Sequence, residues 1–158
     1  MLRWLRPSAV AVLVLAALAG CGITVPSDPE GTLDRVSGGV LRAGATHHEP
    51  WVVTGVGDLA GDEPALLEEF AATLDAEVEW TVGNEESLVA ALERGDLDVV
   101  VGGFTDATPW ADRAATTVPY REAPGPDGSQ EKHVILARMG ENRFLVALEE
   151  FLLERGDG

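Results

Sequence analysis

The sequence has little cysteine and few basic side chains. One cysteine, Cys21, occurs in 158 residues, so no disulfide can form within the chain. Lysine and arginine together number 11 against 27 aspartates and glutamates, which gives a formal net charge of −16. This balance argues against nucleic acid or an anionic membrane surface as a partner. It is compatible with a neutral or cationic ligand, or simply with a solvated acidic surface.

Sequence motifs of catalysis are also missing. The chain contains no Gly-rich phosphate loop, nucleophile elbow or quartet of metal-binding side chains. The adjacent His47 and His48 suggest a metal site, but neighbouring side chains on an extended segment point to opposite sides. The third histidine, His133, is expected on a distant strand. We therefore predict no metal, no cofactor and no enzymatic activity.

The first 21 residues have the composition of an export signal. Arg3 and Arg6 precede an uninterrupted apolar run at residues 9–19, which Leu18-Ala19-Gly20-Cys21 closes with small residues. A membrane-spanning helix needs roughly 20 apolar residues, so this run is short for a span and fits a secretory signal. Loss of the two arginines with the signal leaves 9 basic against 27 acidic residues.

The Leu-Ala-Gly-Cys ending resembles the bacterial lipobox, in which a diacylglyceryl group is attached to the cysteine before cleavage. The resemblance implies a signal peptide at residues 1–20 and a lipoprotein whose acyl chains, such as palmitate, anchor Cys21 to a membrane. We expect the mature protein to lie outside the cytoplasm on the cell membrane, in the periplasm or on an outer face.

Composition divides the rest of the chain into two parts. Residues 23–38 are rich in Pro, Ser, Asp, Glu and Gly, and we predict a flexible tether over residues 21–38. From residue 39 to residue 156 the patterns of strands and helices alternate. The chain is too short for two comfortable domains, and its 46% of apolar residues predict one packed core.

The alternating patterns predict individual elements. Strands are expected at residues 40–45, 77–82, 97–101, 116–120 and 133–137, with a loop rich in Pro and Gly at 122–130. A first helix at 63–74 follows Asp62 as its cap, with Pro64 in its first turn. Asn84 caps a second helix that Gly95 stops, and a third helix ends before Gly156.

The order β-α-β-α-β predicts parallel strands joined by crossover helices. We expect a three-layer α/β domain with a mostly parallel sheet of about five strands. If the strand order is 2-1-3, the sheet reverses direction between the first and third strands, and ligands bind beyond the carboxyl ends of strands at such a point. Residues 46–51 and 102–113 would meet there.

Several short segments together resemble family 3 of the bacterial extracellular solute-binding proteins, which serve ABC importers of amino acids. The matching segments are Val40-Leu41-Arg42-Ala43-Gly44, Glu49-Pro50-Trp51, Leu92-Glu93-Arg94-Gly95-Asp96-Leu97-Asp98-Val99-Val100, Gly102-Gly103-Phe104-Thr105, Thr108-Pro109 and Pro119-Tyr120. The resemblance implies the first lobe of a type 2 periplasmic binding protein. Full-length members insert a second lobe where this chain has only residues 121–130, so the resemblance is to a short, single-lobe form with half of the usual cleft.

Five side chains at the predicted switch point are candidates for ligand binding. Trp51 is a candidate aromatic floor or, equally, a lid over the sheet end. Thr105 and Asp106 could hydrogen-bond an amino group or hydroxyl, although turn formation and capping are the alternative. Trp110 lies in the same segment. Arg113 could bind a carboxylate or form a surface ion pair, and it lies eight positions after Thr105, where the family has an arginine at five.

These observations predict a membrane-tethered, extracytoplasmic module that recognises a small polar solute such as an amino acid. An alternative is a degenerate single-lobe scaffold that docks a protein partner, such as a transporter subunit or a sensor. Trp51, Phe104, Trp110 and Tyr120 would form an apolar docking patch if all four were exposed together.

Overall fold

The computed structural model describes residues 27–55 and 59–156. The predicted signal peptide and Cys21 therefore lie outside the described residues, as do residues 22–26 of the predicted tether. Among the helices that are described, none combines the length and the apolar character needed to cross a membrane.

The described ranges contain short strands and helices in alternation. In chain order these are α1 (Thr32–Val36), β1 (Val40–Ala45), β2 (Val53–Thr54), β3 (Leu59–Ala60), α2 (Asp62–Thr73), β4 (Glu77–Val82), α3 (Glu85–Arg94), β5 (Val99–Val101), β6 (Ala115–Thr116), β7 (Arg121–Pro124), β8 (Gln130–His133), β9 (Leu136–Ala137) and α4 (Asn142–Gly156). Two small antiparallel pairs, β2 with β3 and β7 with β8, stand beside the main sheet.

The main sheet has five strands in the order β4-β1-β5-β9-β6. Strand β1 pairs in parallel with both β4 and β5, whereas β9 is antiparallel to both β5 and β6. Four of the five strands therefore run in one direction. The predicted 2-1-3 order and the α/β class are confirmed, with one reversed strand in the sheet.

Helices cover both faces of this sheet. The side chains of β5 alternate between the two faces and so contribute to both cores. Val99 and Val101 pack into a core with α1, α2 and α4, while Val100 packs into a second core with α3. Phe70 and Phe144 meet in the first core at 5.9 Å between ring centroids. The predicted three layers are present.

The two helices that flank β4 begin differently. As predicted, the Asn84 side chain accepts a hydrogen bond from the Ser87 N–H at the start of α3, and Gly95 ends the helix at a φ of 76°. The prediction that Asp62 caps α2 is wrong. Gly61 occupies the cap position at a φ of 121° with no side-chain cap, and Asp62 is already helical. Its carboxylate pairs instead with Arg121 at 2.8 Å.

The predicted tether is too long, because its end belongs to the folded domain. Residues 32–36 form α1, and Val36 is fully buried in the first core. Asp28 ties this segment down by accepting hydrogen bonds from Leu33 N–H at 2.8 Å and Phe144 N–H at 3.0 Å. The sequence pattern missed α1 because a helix of five residues shows barely one turn of periodicity.

The predicted loop at 122–130 and strand at 133–137 are also corrected. Strands β7 and β8 form a hairpin, with Arg121 opposite His133 and Pro124 opposite Gln130. The chain then crosses to the main sheet, where β9 begins at residue 136. Between the two strands, Ile135 pairs with Thr117 just after β6: its N–H donates to the Thr117 hydroxyl at 3.0 Å, and its carbonyl accepts from the Thr117 N–H at 3.0 Å.

Candidate functional site

The loops that follow β1 and β5 converge at the switch point of the sheet. Thr46 N–H donates to the Val101 carbonyl at 3.0 Å, which joins the two loops at their origin. Further out, Gly103 lies so close to the first loop that a Cβ there would stand 2.8 Å from Trp51 Cδ1 and 2.9 Å from His48 Cγ. Gly103 also has a φ of 65°, which favours glycine.

Glu63 is the central buried polar group between these loops, and sequence analysis did not identify it. It is fully buried in the first turn of α2. One carboxylate oxygen accepts hydrogen bonds from the N–H groups of Gly102 at 2.8 Å and Gly103 at 2.9 Å. The other accepts from the Tyr120 hydroxyl at 2.6 Å. Glu63 therefore connects α2, the loop after β5 and the start of β7.

Burial is the main cause of the pKa shifts of Glu63 and Tyr120. It raises the pKa of Glu63 above its ordinary value, against the opposing effect of the N–H groups of Gly103 and Gly102 and the Tyr120 hydroxyl. Burial and the neighbouring Glu63 carboxylate also raise the pKa of Tyr120. Tyr120 thus remains a hydroxyl donor at any ordinary pH.

A signal for Glu63 was present in the sequence. It lies four, seven and eight positions before Leu67, Phe70 and Ala71, which form the buried stripe of α2. An acidic residue at a core-facing helical position is rarely buried without partners. An acidic residue at this position therefore predicts a buried carboxylate that accepts hydrogen bonds from nearby donors.

His133 lies inside the site, contrary to the prediction of a distant strand. Its ring packs on Trp51 with 3.9 Å between ring centroids, and its backbone forms a β-bridge with Thr105. The imidazole is buried, and its Nδ1 has no hydrogen-bond partner within the described ranges. Burial lowers the pKa of His133 below its ordinary value.

Trp51, Thr105 and Asp106 are brought together around His133. Trp51 is only 9% exposed, so most of its ring packs over the end of the sheet rather than forming an open floor. The Arg121 guanidinium lies 5.7 Å from the centre of the same ring. Asp106 N–H donates to the Lys132 carbonyl at 2.9 Å, and Asp106 is exposed.

Trp110 and Arg113 face helix α3 instead. The Trp110 indole N–H donates to Glu85 at 2.9 Å, and the Arg113 guanidinium lies 5.5 Å from the centre of the indole. Arg113 pairs with Glu86 at 2.9 Å and Glu93 at 2.6 Å. These two carboxylates raise the pKa of Arg113 further above its already high value.

A cavity of about 320 Å³ lies beside the switch point, between α2, α4 and the start of β7. Its charged walls consist of the ion pairs Asp62–Arg121 and Glu69–Arg155. Tyr120 forms the wall nearest the buried Glu63. The described residues contain no group of three or more His, Cys, Asp or Glu that could hold a metal ion.

Two of the four aromatics proposed as a docking patch are buried. Trp51 is 9% exposed and Phe104 is 6% exposed. Trp110 and Tyr120 are each only partly exposed. The predicted aromatic docking patch is therefore wrong, because the loops fold these rings against the sheet end.

Comparison with protein families gives a match over most of the folded domain. Residues 41–151 match the model of the bacterial extracellular solute-binding proteins, family 3. The comparison with curated proteins found no match to this chain.

Solved structures that are similar to this chain include binding proteins for amino acids. A point mutant of the arginine-bound form of domain 1 from TmArgBP of T. maritima is 25% identical, with a TM-score of 0.71, and the match covers 80% of this chain and 99% of that one. An ancestral cationic amino acid solute-binding protein is 15% identical, with a TM-score of 0.68 over 80% of this chain and 94% of that one.

A third neighbour is a periplasmic binding protein of Salmonella typhimurium, described as highly specific for arginine. It is 11% identical, with a TM-score of 0.65, and the match covers 75% of this chain and 94% of that one. A further neighbour, 16% identical, is an ancestral amino-acid-binding protein described as a precursor of cyclohexadienyl dehydratase. At these identities the likeness shows a shared fold.

Proposed function

Because the chain belongs to family 3 of the bacterial extracellular solute-binding proteins, we propose that it is a lipid-anchored module that binds a free amino acid outside the cytoplasm. The module is a single lobe, equivalent to the first lobe of a two-lobe receptor. Its site is the rim of the switch point, around Trp51, Thr105 and Asp106.

One observation carries this proposal. The chain aligns over 99% of an isolated domain 1 that was determined in an arginine-bound form. A first lobe of this fold can therefore hold an amino acid without a second lobe closing over it. The buried surface in a half-cleft is small, so we expect weaker binding than in a closed receptor.

The charge of the protein favours a cationic amino acid. The chain carries a formal net charge of −16, and the Asp106 carboxylate at the rim makes no ion pair among the described residues. Such a field raises the local concentration of a cation and speeds its capture at low ionic strength.

Anchoring and transport rest on the sequence. The basic start, apolar run and Cys21 at the N-terminus support a lipoprotein, and the family supports an extracytoplasmic location. An importer subunit or a sensor ectodomain is the natural recipient of the bound solute. We propose no catalytic role, since the Glu63 carboxylate is fully buried and its oxygens are engaged by two backbone N–H groups and the Tyr120 hydroxyl.

Calorimetric titration of the detergent-solubilised lipoprotein with arginine, lysine, histidine and glutamine tests the proposal. We expect binding of the cationic members at micromolar to millimolar concentration, weakened about tenfold by Asp106→Asn. Asp112→Asn is the matched control, because it removes another exposed carboxylate from the same loop. Absence of heat with all four amino acids at millimolar concentration would contradict the proposal.

Docking of a protein partner is the competing explanation. Two of the four aromatic side chains that would form its docking patch are buried. A pull-down from solubilised membranes separates the two. A stoichiometric partner retained by a protein that binds no amino acid would favour docking.

A further inference from the structure

We propose that the end of the domain opposite the candidate site faces the membrane that holds Cys21, and that the rim of the site faces away from it. The inference rests on the lipid anchor of the proposed function and goes beyond it. Three observations carry it: the point where the described chain begins, the distribution of charge, and the exposed apolar side chains. We call this end the base, which consists of residues 27–42, 75–77, 94–99 and 137–144.

The described chain begins at the base. Strand β1 starts there at Val40 and ends at Ala45, after which the first loop of the candidate site follows. Strand β9 is antiparallel to β5, so the chain that leaves β9 returns to the base, where α4 begins. Ser27 is fixed beside the start of α4, because its carbonyl accepts a hydrogen bond from the Asn142 N–H at 2.9 Å. The chain therefore leaves the domain toward Cys21 at the end farthest from the site.

The connection to the lipid is too short to turn the domain over. Cys21 precedes Ser27 by six positions, and a chain of that length spans at most about 22 Å when it is fully extended. Strand β1 alone, with six residues, is about 20 Å long, and the loops of the site extend beyond it. For the rim to meet the membrane, the connection would have to run the whole height of the domain. The base is therefore the end that the lipid holds closest to the membrane.

Charge is unevenly distributed between the base and the rest of the mature chain. The base contains 5 basic and 8 acidic residues, whereas the rest of the chain after Cys21 contains 4 basic and 19 acidic residues. An anionic lipid surface repels the acidic remainder most strongly, so this distribution turns the base toward the membrane. All the arginines of the base form ion pairs within it: Arg35 and Arg42 with Asp98, Arg94 with Asp96, Arg138 with Glu30, and Arg143 with Asp34.

Two exposed apolar side chains lie on the base. Val40 is 37% exposed at the start of β1, and Met139 is 52% exposed just after β9. Only β5 separates these two strands, so both side chains lie along one edge of the sheet. Single exposed apolar side chains are common on protein surfaces and indicate nothing by themselves. On a face that a lipid anchor holds against a membrane, however, their burial at the headgroup boundary is favourable.

This orientation favours one kind of recipient for the bound solute. The rim stands about 20 Å farther from the membrane than the base, which is the length of β1. An importer subunit embedded in the same membrane would meet the base, whereas the ectodomain of a sensor that extends above the membrane reaches the rim. A sensor ectodomain is therefore the recipient that fits this geometry.

Energy transfer to labelled lipid tests the orientation. Cys21 is the only cysteine, and the proposed anchor acylates its thiol, so an introduced cysteine takes a fluorescent donor at one site. Ser37→Cys on the base and Ala107→Cys in the loop after β5 are a matched pair, because both replace small exposed residues. Each lipoprotein is inserted into vesicles of phosphatidylcholine and phosphatidylglycerol that contain an acceptor lipid. We expect transfer from position 37 to be at least about twofold more efficient than from position 107, because the two heights differ by about 20 Å.

Flotation of the vesicles distinguishes failure of the inference from failure of the proposed anchor. Equal transfer from the two positions, or more efficient transfer from position 107, in protein that floats with the vesicles would overturn the inference alone. Protein that does not float has no lipid anchor, and this result would overturn the proposed anchoring together with the inference.

A longer connection tests the role of its length. Insertion of about 20 glycine and serine residues after Pro26 gives a flexible chain that lets the domain turn. We expect this insertion to narrow the difference in transfer between positions 37 and 107. A difference that the insertion leaves unchanged would refute the role assigned to the short connection.

Discussion

Trp51 lies against His133, with 3.9 Å between ring centroids and 36° between ring planes. The contact joins the loop after β1 to the end of β8, two segments separated by 82 positions in the chain. Neither partner faces open solvent, since Trp51 is 9% exposed and His133 is 2% exposed. The contact is therefore a structural connection beneath the rim of the candidate site.

Replacement of Trp51 tests whether this contact stabilises the fold. Trp51→Ala empties a buried ring position, and we expect a loss of about 3 kcal/mol in the free energy of unfolding. Urea unfolding followed by circular dichroism measures it. Trp110→Ala is the control, because that ring is partly exposed and should cost less. Equal losses in the two variants would contradict a packing role for Trp51.

The raised pKa of Glu63 predicts a specific pH dependence of stability. The folded state binds the Glu63 proton more tightly than the unfolded state, in which the pKa lies near 4.5. Stability therefore falls as pH rises from the unfolded pKa to the folded pKa, by about 1.4 kcal/mol for each unit between them. The loss is complete above the folded pKa.

Glu63→Gln removes this titration while keeping the shape of the side chain. We expect the free energy of unfolding of the wild type, minus that of the variant, to decrease as the pH rises from the unfolded to the folded pKa of Glu63. Unfolding free energies measured from pH 4 to pH 8 give the difference directly. Glu68→Gln on the exposed side of α2 should leave the pH profile unchanged. A flat difference for Glu63→Gln would refute the assigned direction.

The side chain of Asp98, just before β5, accepts four hydrogen bonds, two of them from the Arg42 guanidinium. Its buried carboxylate pairs with Arg35 and with Arg42 at 2.6 Å, and also accepts from the Arg42 N–H at 2.9 Å. Asp98→Ala leaves these groups without their partner, and we expect a loss of about 3 kcal/mol in unfolding free energy. Thermal unfolding measures it, and Asp96→Ala, which removes an exposed carboxylate, should be nearly neutral.

Asp28 tests where the folded domain begins. Its carboxylate caps both α1 and α4 through the N–H groups of Leu33 and Phe144. We expect Asp28→Ala to cost about 1 kcal/mol, the usual effect of a lost cap, in urea unfolding. Asp112→Ala, an exposed site without such contacts among the described residues, is the comparison. An unchanged free energy of unfolding in Asp28→Ala would instead favour the predicted tether that extends to residue 38.

Lipidation of Cys21 is tested by metabolic labelling. Cells that express the wild-type chain should incorporate labelled palmitate into it, and Cys21→Ala should abolish the label because the thiol is the attachment point. Gly22→Ala keeps the thiol and should remain labelled. Label that persists in Cys21→Ala would show that the acyl chains are attached elsewhere.

The sheet and its crossovers were predictable because their signals are strong and local. The buried run before Val101, the Asn84 cap and the Gly95 stop each define an element without help from tertiary contacts. The hairpin of β7 and β8 was not predictable in the same way. Its strands are short, and the chain leaves the hairpin for the main sheet through a contact of Ile135 with the distant Thr117.

The convergence of the loops after β1 and β5 was predictable, but the chemistry between them was not. Strand order alone brings the two loops together, and the structure confirms that they meet at Gly103, whereas Trp110 and Arg113 at the far end of the second loop face α3. The contacts of Glu63 depend on which side chain fills the space between the loops, which no periodicity encodes. The same holds for Arg113, whose acidic partners lie on α3, 20 and 27 positions away.

Under the proposed function, we expect the short connection between β7 and β8 to make ligand exchange fast. Five residues join the two strands, and Gly125 N–H closes the turn on the Ser129 carbonyl at 2.7 Å. A two-lobe receptor retains its solute until the lobes swing apart, so opening limits release. This chain has a tight turn where a two-lobe receptor connects to its second lobe. The fraction of protein with ligand bound should therefore follow the ligand concentration without delay. Such a protein samples its surroundings continuously rather than sequestering molecules one at a time.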